Sequence, residues 1–181
     1  MRRPGSGPVC LPAGAMGFSL LPRVRAAALQ DLTPARLQRM GIRAVLLDFD
    51  NTVVPYTTDI PTPAVRQWFA DMQAAGLPVC VVSNSRKDRV QNFCDAMGLP
   101  CVRRAGKPSP RGVREAMDLL QVRPQETALV GDQIYTDTLA ANLAGAVSIL
   151  VEPLALSNLF LKLRHIAEQP WILAAGRRKL S

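Results

Sequence analysis

The stretch Ala44-Val45-Leu46-Leu47-Asp48-Phe49-Asp50-Asn51-Thr52 decides how the rest of the chain is read, because an apolar run ends abruptly in two carboxylates, a turn residue and a hydroxyl. A run this short, with Gly41 before it and Asn51 after it, reads as a buried parallel strand whose C-terminal end opens into a loop. That end of an open α/β sheet is where ligands bind. Side chains alternate with period two along a strand, so Asp48 and Asp50 are expected to leave it on one side and Phe49 on the other. Like charges this close raise each other's pKa unless a cation lies between them, and hard oxygen ligands on a short loop suit Mg²⁺. A pair of solvated acids capping a strand is the plainer alternative.

Three further elements support the first reading. Leu77-Pro78-Val79-Cys80-Val81-Val82 is a second apolar run, and it ends in Ser83-Asn84-Ser85. Lys107-Pro108 precedes a helix-like segment, and Ala128-Leu129-Val130-Gly131-Asp132 is another buried-strand pattern ending in an acid, with Asp137 beyond it. A metal, a nucleophile, a hydroxyl donor and a lysine at one sheet edge form a set able to hold and transfer a phosphoryl group. Each has a plain alternative: a helix N-cap for Ser83-Asn84-Ser85, a surface lysine for Lys107, and a helix beginning near Tyr135 for Asp137 to cap.

The ordered set Asp48-x-Asp50-x-Thr52, Ser83, Lys107 and Gly131-Asp132-x-x-x-x-Asp137 resembles the four motifs of the haloacid dehalogenase (HAD) phosphatases. The finer wording, with the lead-ins Leu20-Leu21-Pro22 and Asp31-Leu32-Thr33-Pro34, is similar to the YqeG branch, whose members and mitochondrial relatives are phosphatidylglycerophosphate phosphatases. The resemblance covers roughly residues 20 to 170. It implies that Asp48 is the nucleophile that forms an aspartyl-phosphate, and that Asp50 is the acid and base. It further implies Mg²⁺ held by Asp48, by the backbone carbonyl of Asp50 and by Asp132, with Asp137 in or near the next layer. Ser83, Asn84 and neighbouring amides would bind phosphoryl oxygens, and Lys107 would neutralise charge on nucleophile and transition state. Thr52, grouped with the phosphate-binding set, either steadies the motif loop or serves as an ordinary turn hydroxyl.

Coarse strands fall near 43 to 49, 78 to 83, 100 to 102, 127 to 131 and 147 to 151, with helical patterns near 62 to 75, 87 to 97, 109 to 121 and 135 to 144. This alternation predicts an α/β fold, a doubly wound parallel sheet of the HAD-like, Rossmann-like kind. At 181 residues and 48% apolar, the chain suits one domain. The expected division is a disordered extension over residues 1–18 and a single phosphatase domain over 19–181 with a basic C-terminal helical tail. Pro4, Gly5, Gly7, Pro8 and Pro12 break up any signal-like core, and Met16 is an alternative start. HAD enzymes insert caps after the first motif and before the motif lysine, and both segments are short here. That leaves room for a flap and none for a cap, so the site would be open to bulky substrates unless a second copy supplied a lid.

The net charge of +8 divides unevenly: +6 over residues 1 to 47, −2 over 48 to 161 and +4 over 162 to 181. The C-terminal part, from Leu159 through Trp171 to Arg177-Arg178-Lys179, mixes apolar and basic residues. It reads equally as an interfacial helix on an anionic bilayer or as a helix packed on the sheet with a solvated tail. No run approaches the roughly 20 apolar residues of a spanning helix. One histidine, His165, gives little support to histidine-dependent triads, and Cys10, Cys80, Cys94 and Cys101 show no paired metal spacing and fit a reducing compartment.

Together these readings make a Mg²⁺-dependent phosphatase of phosphatidylglycerophosphate the leading expectation. It would be cytoplasmic and peripheral at the inner face of the membrane, with an anionic phospholipid as partner and no nucleic acid. The alternatives are a HAD phosphatase for a soluble phosphomonoester or phosphoprotein, and a basic RNA- or ribosome-binding scaffold that retains the motifs. A pure binder has no need of Asp50 or Asp137.

Overall fold

A computed structural model describes residues 18–55, 57–155 and Trp171. The readings placed on residues 1–17, on the C-terminal basic segment and on His165 therefore lie outside the described residues. Six parallel strands form one sheet: β1 (Val24–Ala26), β2 (Ala44–Leu47), β3 (Val79–Ser83), β4 (Cys101–Arg103), β5 (Thr127–Gly131) and β6 (Val147–Val151). Their spatial order is β1-β6-β5-β2-β3-β4. The helices are α1 (Pro34–Arg39), α2 (Pro63–Ala74), α3 (Asp88–Met97), α4 (Arg111–Leu120) and α5 (Leu139–Ala144), and a π-helical turn over Ile134–Thr138 leads into α5.

The period-two pattern sorts each central strand between two cores. Val45 and Leu47 of β2 face a cluster with Val65, Trp68, Phe69 and Met72 of α2 and Val90, Phe93 and Cys94 of α3. Leu46 between them faces the opposite cluster, with Val113, Ala116 and Met117 of α4 and Ala140, Ala141 and Ala144 of α5. Burial on both faces is why these strands read as continuous apolar runs, and helices on both faces make the sheet doubly wound. Cys80 lies in the second cluster as a small hydrophobe.

Two elements differ from the sequence reading. Strand β1 pairs with β6, Val24 beside Ile149, and is the sheet edge next to it. Its three residues alternate around Arg25, which is too short and too polar to stand out as a buried strand. Helix α1 is capped by the Thr33 hydroxyl, which accepts from the Arg36 amide at 3.3 Å, and Pro34 takes its first position. The Trp68 indole donates to the Leu32 carbonyl at 2.8 Å, binding this lead-in to α2.

Because all six strands are parallel, their C-terminal ends share one edge, and the loops after β2, β3, β4 and β5 converge there. The chain runs from Leu47 to Pro63 and from Arg103 to Arg111 without an inserted domain among the described residues. No described helix is long and apolar enough to cross a membrane.

Candidate active site

Strand β2 stops at Leu47, one residue before the first motif acid. The chain then turns: the Val53 amide donates to the Phe49 carbonyl at 3.0 Å, and Asn51 takes a left-handed backbone with φ of 69°. Asn tolerates that conformation better than other side-chain-bearing residues. The turn gives the two motif acids different partners. Asp48 reaches inward to Lys107, whereas Asp50, at the loop's isolated bridge with Val54, faces Arg89.

Lys107 is the hub. Its ammonium lies 2.6 Å from Asp48 Oδ1 and 2.7 Å from Asp137 Oδ1, and it donates to the Val82 carbonyl at 2.7 Å. All three charged side chains are buried, at 2% exposure for Lys107, 8% for Asp48 and 3% for Asp137. Asn84 holds the lysine's backbone from both sides: its amide donates to the Lys107 carbonyl at 2.8 Å, and its oxygen accepts from the Lys107 amide at 2.8 Å. The residue expected to bind phosphate thus turns its amide to Lys107. Ser83 is buried at the end of β3, and its hydroxyl accepts from the Ser85 amide at 3.0 Å, which ties down the loop rather than capping α3. The N-cap position of α3 is Lys87. The Thr52 hydroxyl is buried without a hydrogen-bond partner.

Asp48, Asp132 and Asp137 each offer a carboxylate oxygen to a common point, these atoms lying within 4.8 Å of one another. Asp137 accepts from the Gln133 amide at 3.2 Å through Oδ2, and Gln133 is the N-cap of the π-helical turn, so Asp137 also closes the start of that helical segment. Asp132 is oriented by Asn51, whose side-chain amide donates to Asp132 Oδ2 at 3.2 Å while its oxygen accepts from the Ala155 amide at 2.9 Å. The sequence marked Asn51 only as a turn residue, and its bond to Asp132 crosses from the first motif to the fourth, a long-range contact without a local signal.

Three carboxylates against one ammonium leave two negative charges in a dry pocket if all ionise. Burial pushes the Asp48 carboxyl well above its ordinary range, opposed by Lys107 and reinforced by Asp137 and Asp132. Burial alone would lower the Lys107 pKa, but Asp137 and Asp48 overcome it and hold the ammonium charged. A divalent cation fits this balance. Asp48 Oδ2 is buried and has no hydrogen-bond partner, and the donor set is oxygen throughout, as Mg²⁺ prefers. Asp48 and Asp132, expected to hold it together with the Asp50 carbonyl, are joined in this cluster by the carboxylate of Asp137, which was expected only in the next layer. Asp50 is raised less, by its partial burial, with Arg89 opposing.

Gly131 makes room for this cluster, since a Cβ there would collide with the Asp137 carboxylate. Gly131→Ala is expected to cost about 1–3 kcal/mol through overpacking and, if Mg²⁺ stabilises the wild type, to weaken that stabilisation. Denaturant unfolding with and without Mg²⁺ checks it, and wild-type values in both would mean that Asp137 can move aside freely.

Residues 36–145 match the haloacid dehalogenase-like hydrolase family. The chain is 32% identical over 148 residues to the probable phosphatase YqeG of Bacillus subtilis (strain 168), covering 82% of this chain and 86% of that one. It is 30% identical over 125 residues to the mitochondrial phosphatidylglycerophosphatase GEP4 of Saccharomyces cerevisiae, covering 61% of this chain and 67% of that one. The solved structure of NagD from E. coli K-12 superposes with a TM-score of 0.53 at 15% identity, over 66% of this chain and 90% of that one, which shows the shared fold. With its four motifs gathered on one sheet edge, the chain belongs to the haloacid dehalogenase-like hydrolases and is a phosphatase of that family.

Proposed function

We propose that the protein is a Mg²⁺-dependent phosphomonoester hydrolase that works through an aspartyl-phosphate on Asp48 and takes phosphatidylglycerophosphate as its substrate. The observation that carries the mechanism is the state of Asp48: Oδ1 is fixed by the Lys107 ammonium at 2.6 Å, while Oδ2 is buried and has no hydrogen-bond partner. Such a carboxylate is oriented and desolvated, with Lys107 as the donor that holds it.

In the first step an Asp48 oxygen bonds to phosphorus and the ester P–O bond breaks, while Asp50 gives its proton to the departing alkoxide. In the second step water attacks the same phosphorus, Asp50 takes the water's proton, and the Asp48–phosphate bond breaks to release inorganic phosphate. Lys107 holds the nucleophile in place and offsets negative charge as the phosphoryl group transfers. Ser83 and the amides of its loop would contact phosphoryl oxygens. The metal, when bound, supplies further charge neutralisation at the transferring group.

Two observations support the lipid. The relative GEP4 is named a phosphatidylglycerophosphatase, and the yeast and bacterial relatives both match over most of the domain. The described residues also carry no cap over the site, so a phosphate anchored at a bilayer face meets no enclosing domain. The protein would then act peripherally at an anionic membrane surface.

Phosphate release from a panel of phosphatidylglycerophosphate vesicles, glycerol phosphate, nucleoside monophosphates and a phosphopeptide, each with Mg²⁺ and with EDTA, tests the reading. The lipid should turn over fastest, and chelation should abolish release from every ester. A soluble ester preferred over the lipid would transfer the activity to the small-molecule class. Release that survives exhaustive chelation would remove the metal from the mechanism.

A further inference from the structure

Arg89 stands in the first turn of α3 and belongs to none of the four motifs, yet it reaches across to the loop between β2 and α2. Its Nη1 lies 3.3 Å from Asp50 Oδ1 and its Nε lies 2.6 Å from Asp59 Oδ1. Its Nη2 donates to the Thr58 carbonyl at 3.0 Å and, at 3.5 Å, to that of Pro55. The guanidinium also sits 5.2 Å from the centroid of the Phe49 ring. Phe49 is itself buried and packs edge-on against Phe93 at 5.1 Å, so α3 and the motif loop share one packed seam. A planar fork with its charge spread over three nitrogens can join a carboxylate on each side while lying on an aromatic face, which a lysine ammonium cannot do.

We propose that Arg89 is a positioning residue for the proton-transfer steps: it aims the Asp50 carboxylate and fixes loop residues 58 and 59 beside it at the mouth of the site. The inference rests on the reading of Asp50 as proton donor and adds the group that orients it. Without the guanidinium, Asp50 keeps its backbone place on the motif loop but loses the contact that selects its side-chain direction. Misplacement of about 1 Å at a reacting group costs on the order of 10²-fold.

The test compares Arg89→Met, Arg89→Lys and Asp59→Asn with wild type on two phosphomonoesters. One is p-nitrophenyl phosphate, whose phenolate departs without needing a proton. The other is phosphatidylglycerophosphate in mixed micelles, or the fastest alkyl ester of the panel if that lipid is not turned over, whose alkoxide needs one. Arg89→Met should lower kcat on the alkyl ester by about 10²-fold and on p-nitrophenyl phosphate by less than about 10-fold, with KM little changed. Arg89→Lys should fall between wild type and Arg89→Met. Asp59→Asn, on a side chain 56% exposed and outside the core, should show the same preference between esters with a smaller loss. Amide exchange at Thr58 and Ile60 should quicken in Arg89→Met, because that loop loses its anchor. Equal losses on both esters in Arg89→Met and Asp59→Asn, or unchanged exchange at Thr58 and Ile60, would overturn the role of Arg89 while leaving the phosphatase intact. A wild type that releases phosphate from neither ester would overturn the proton-donor role and the phosphatase reading together.

Discussion

Asp48→Asn should remove turnover, by roughly 10⁴- to 10⁶-fold, the scale on which loss of a nucleophile collapses covalent catalysis. It should also abolish any phosphoenzyme that survives an acid quench. The fold should persist, because Asn is nearly isosteric and Lys107 keeps its contacts with Asp137 at 2.7 Å and with the Val82 carbonyl at 2.7 Å. In metal-free buffer the variant should be no less stable than wild type, since the substitution removes one of three carboxylates that share a buried pocket. The comparison that isolates chemistry from structure is thermal unfolding alongside phosphate release. Turnover by this variant would sink the aspartyl-phosphate route, whereas an unfolded variant would mean that the pair with Lys107 supports the fold. Asp50→Asn should behave differently, slowing the proton-dependent steps by about 10²- to 10⁴-fold while leaving some turnover of esters with good leaving groups.

The parts of this site that can be read in the sequence are those where strand and motif coincide. Asp48, Ser83 and Asp132 each follow or close a continuous apolar run, and such a run in an α/β alternation fixes both the strand and the edge at which it ends. The sheet order did not need to be known for that, because parallel strands bring their C-terminal ends together in any order. The residues that orient the site were hidden for a physical reason: they act through long-range contacts. Asn51 meets Asp132, Asn84 brackets Lys107 and Arg89 meets Asp50, pairs set by which loops become neighbours once β5, β2, β3 and β4 lie side by side. Period-two reasoning holds through Phe49, which joins Val45 and Leu47 in one core while Asp48, whose amide still donates to the Val130 carbonyl, points the other way. It ends there, because the turn closed on the Phe49 carbonyl hands Asp50 to Arg89 while Asp48 meets Lys107. That separation suits the two tasks proposed for them, since a nucleophile needs a fixed, desolvated oxygen and a proton carrier needs access to water.

Lys107→Met should give the largest loss of stability at the site. Met keeps most of the side chain's apolar volume, so the effect reports the missing charge and not a cavity. In chelator, Asp48 and Asp137 would stay buried without their shared partner, and breaking a buried ion pair from one side costs about 3–5 kcal/mol. For a chain of this size that lowers the melting temperature by about 10 °C or more. The pH dependence follows from the carboxylates. In wild type the Asp48 pKa is already raised above its ordinary 3.8 by burial, so its contribution to stability is fully present below the unfolded value and is lost as pH rises through the folded one. Removing the ammonium takes away the interaction that opposes that rise, so the window in which stability falls should widen upward. The Lys107 ammonium, held charged well above neutrality, contributes fully at pH 7, and the difference between wild type and variant should therefore be largest there and shrink on acidification. Mg²⁺ should recover part of the loss in Lys107→Met, because a cation among Asp48, Asp132 and Asp137 answers the same excess negative charge. Denaturant unfolding across pH with and without Mg²⁺ reads all three effects. A variant as stable as wild type in chelator at pH 7 would mean that the carboxylates take up protons and that the pocket does not hold the charge that calls for a metal.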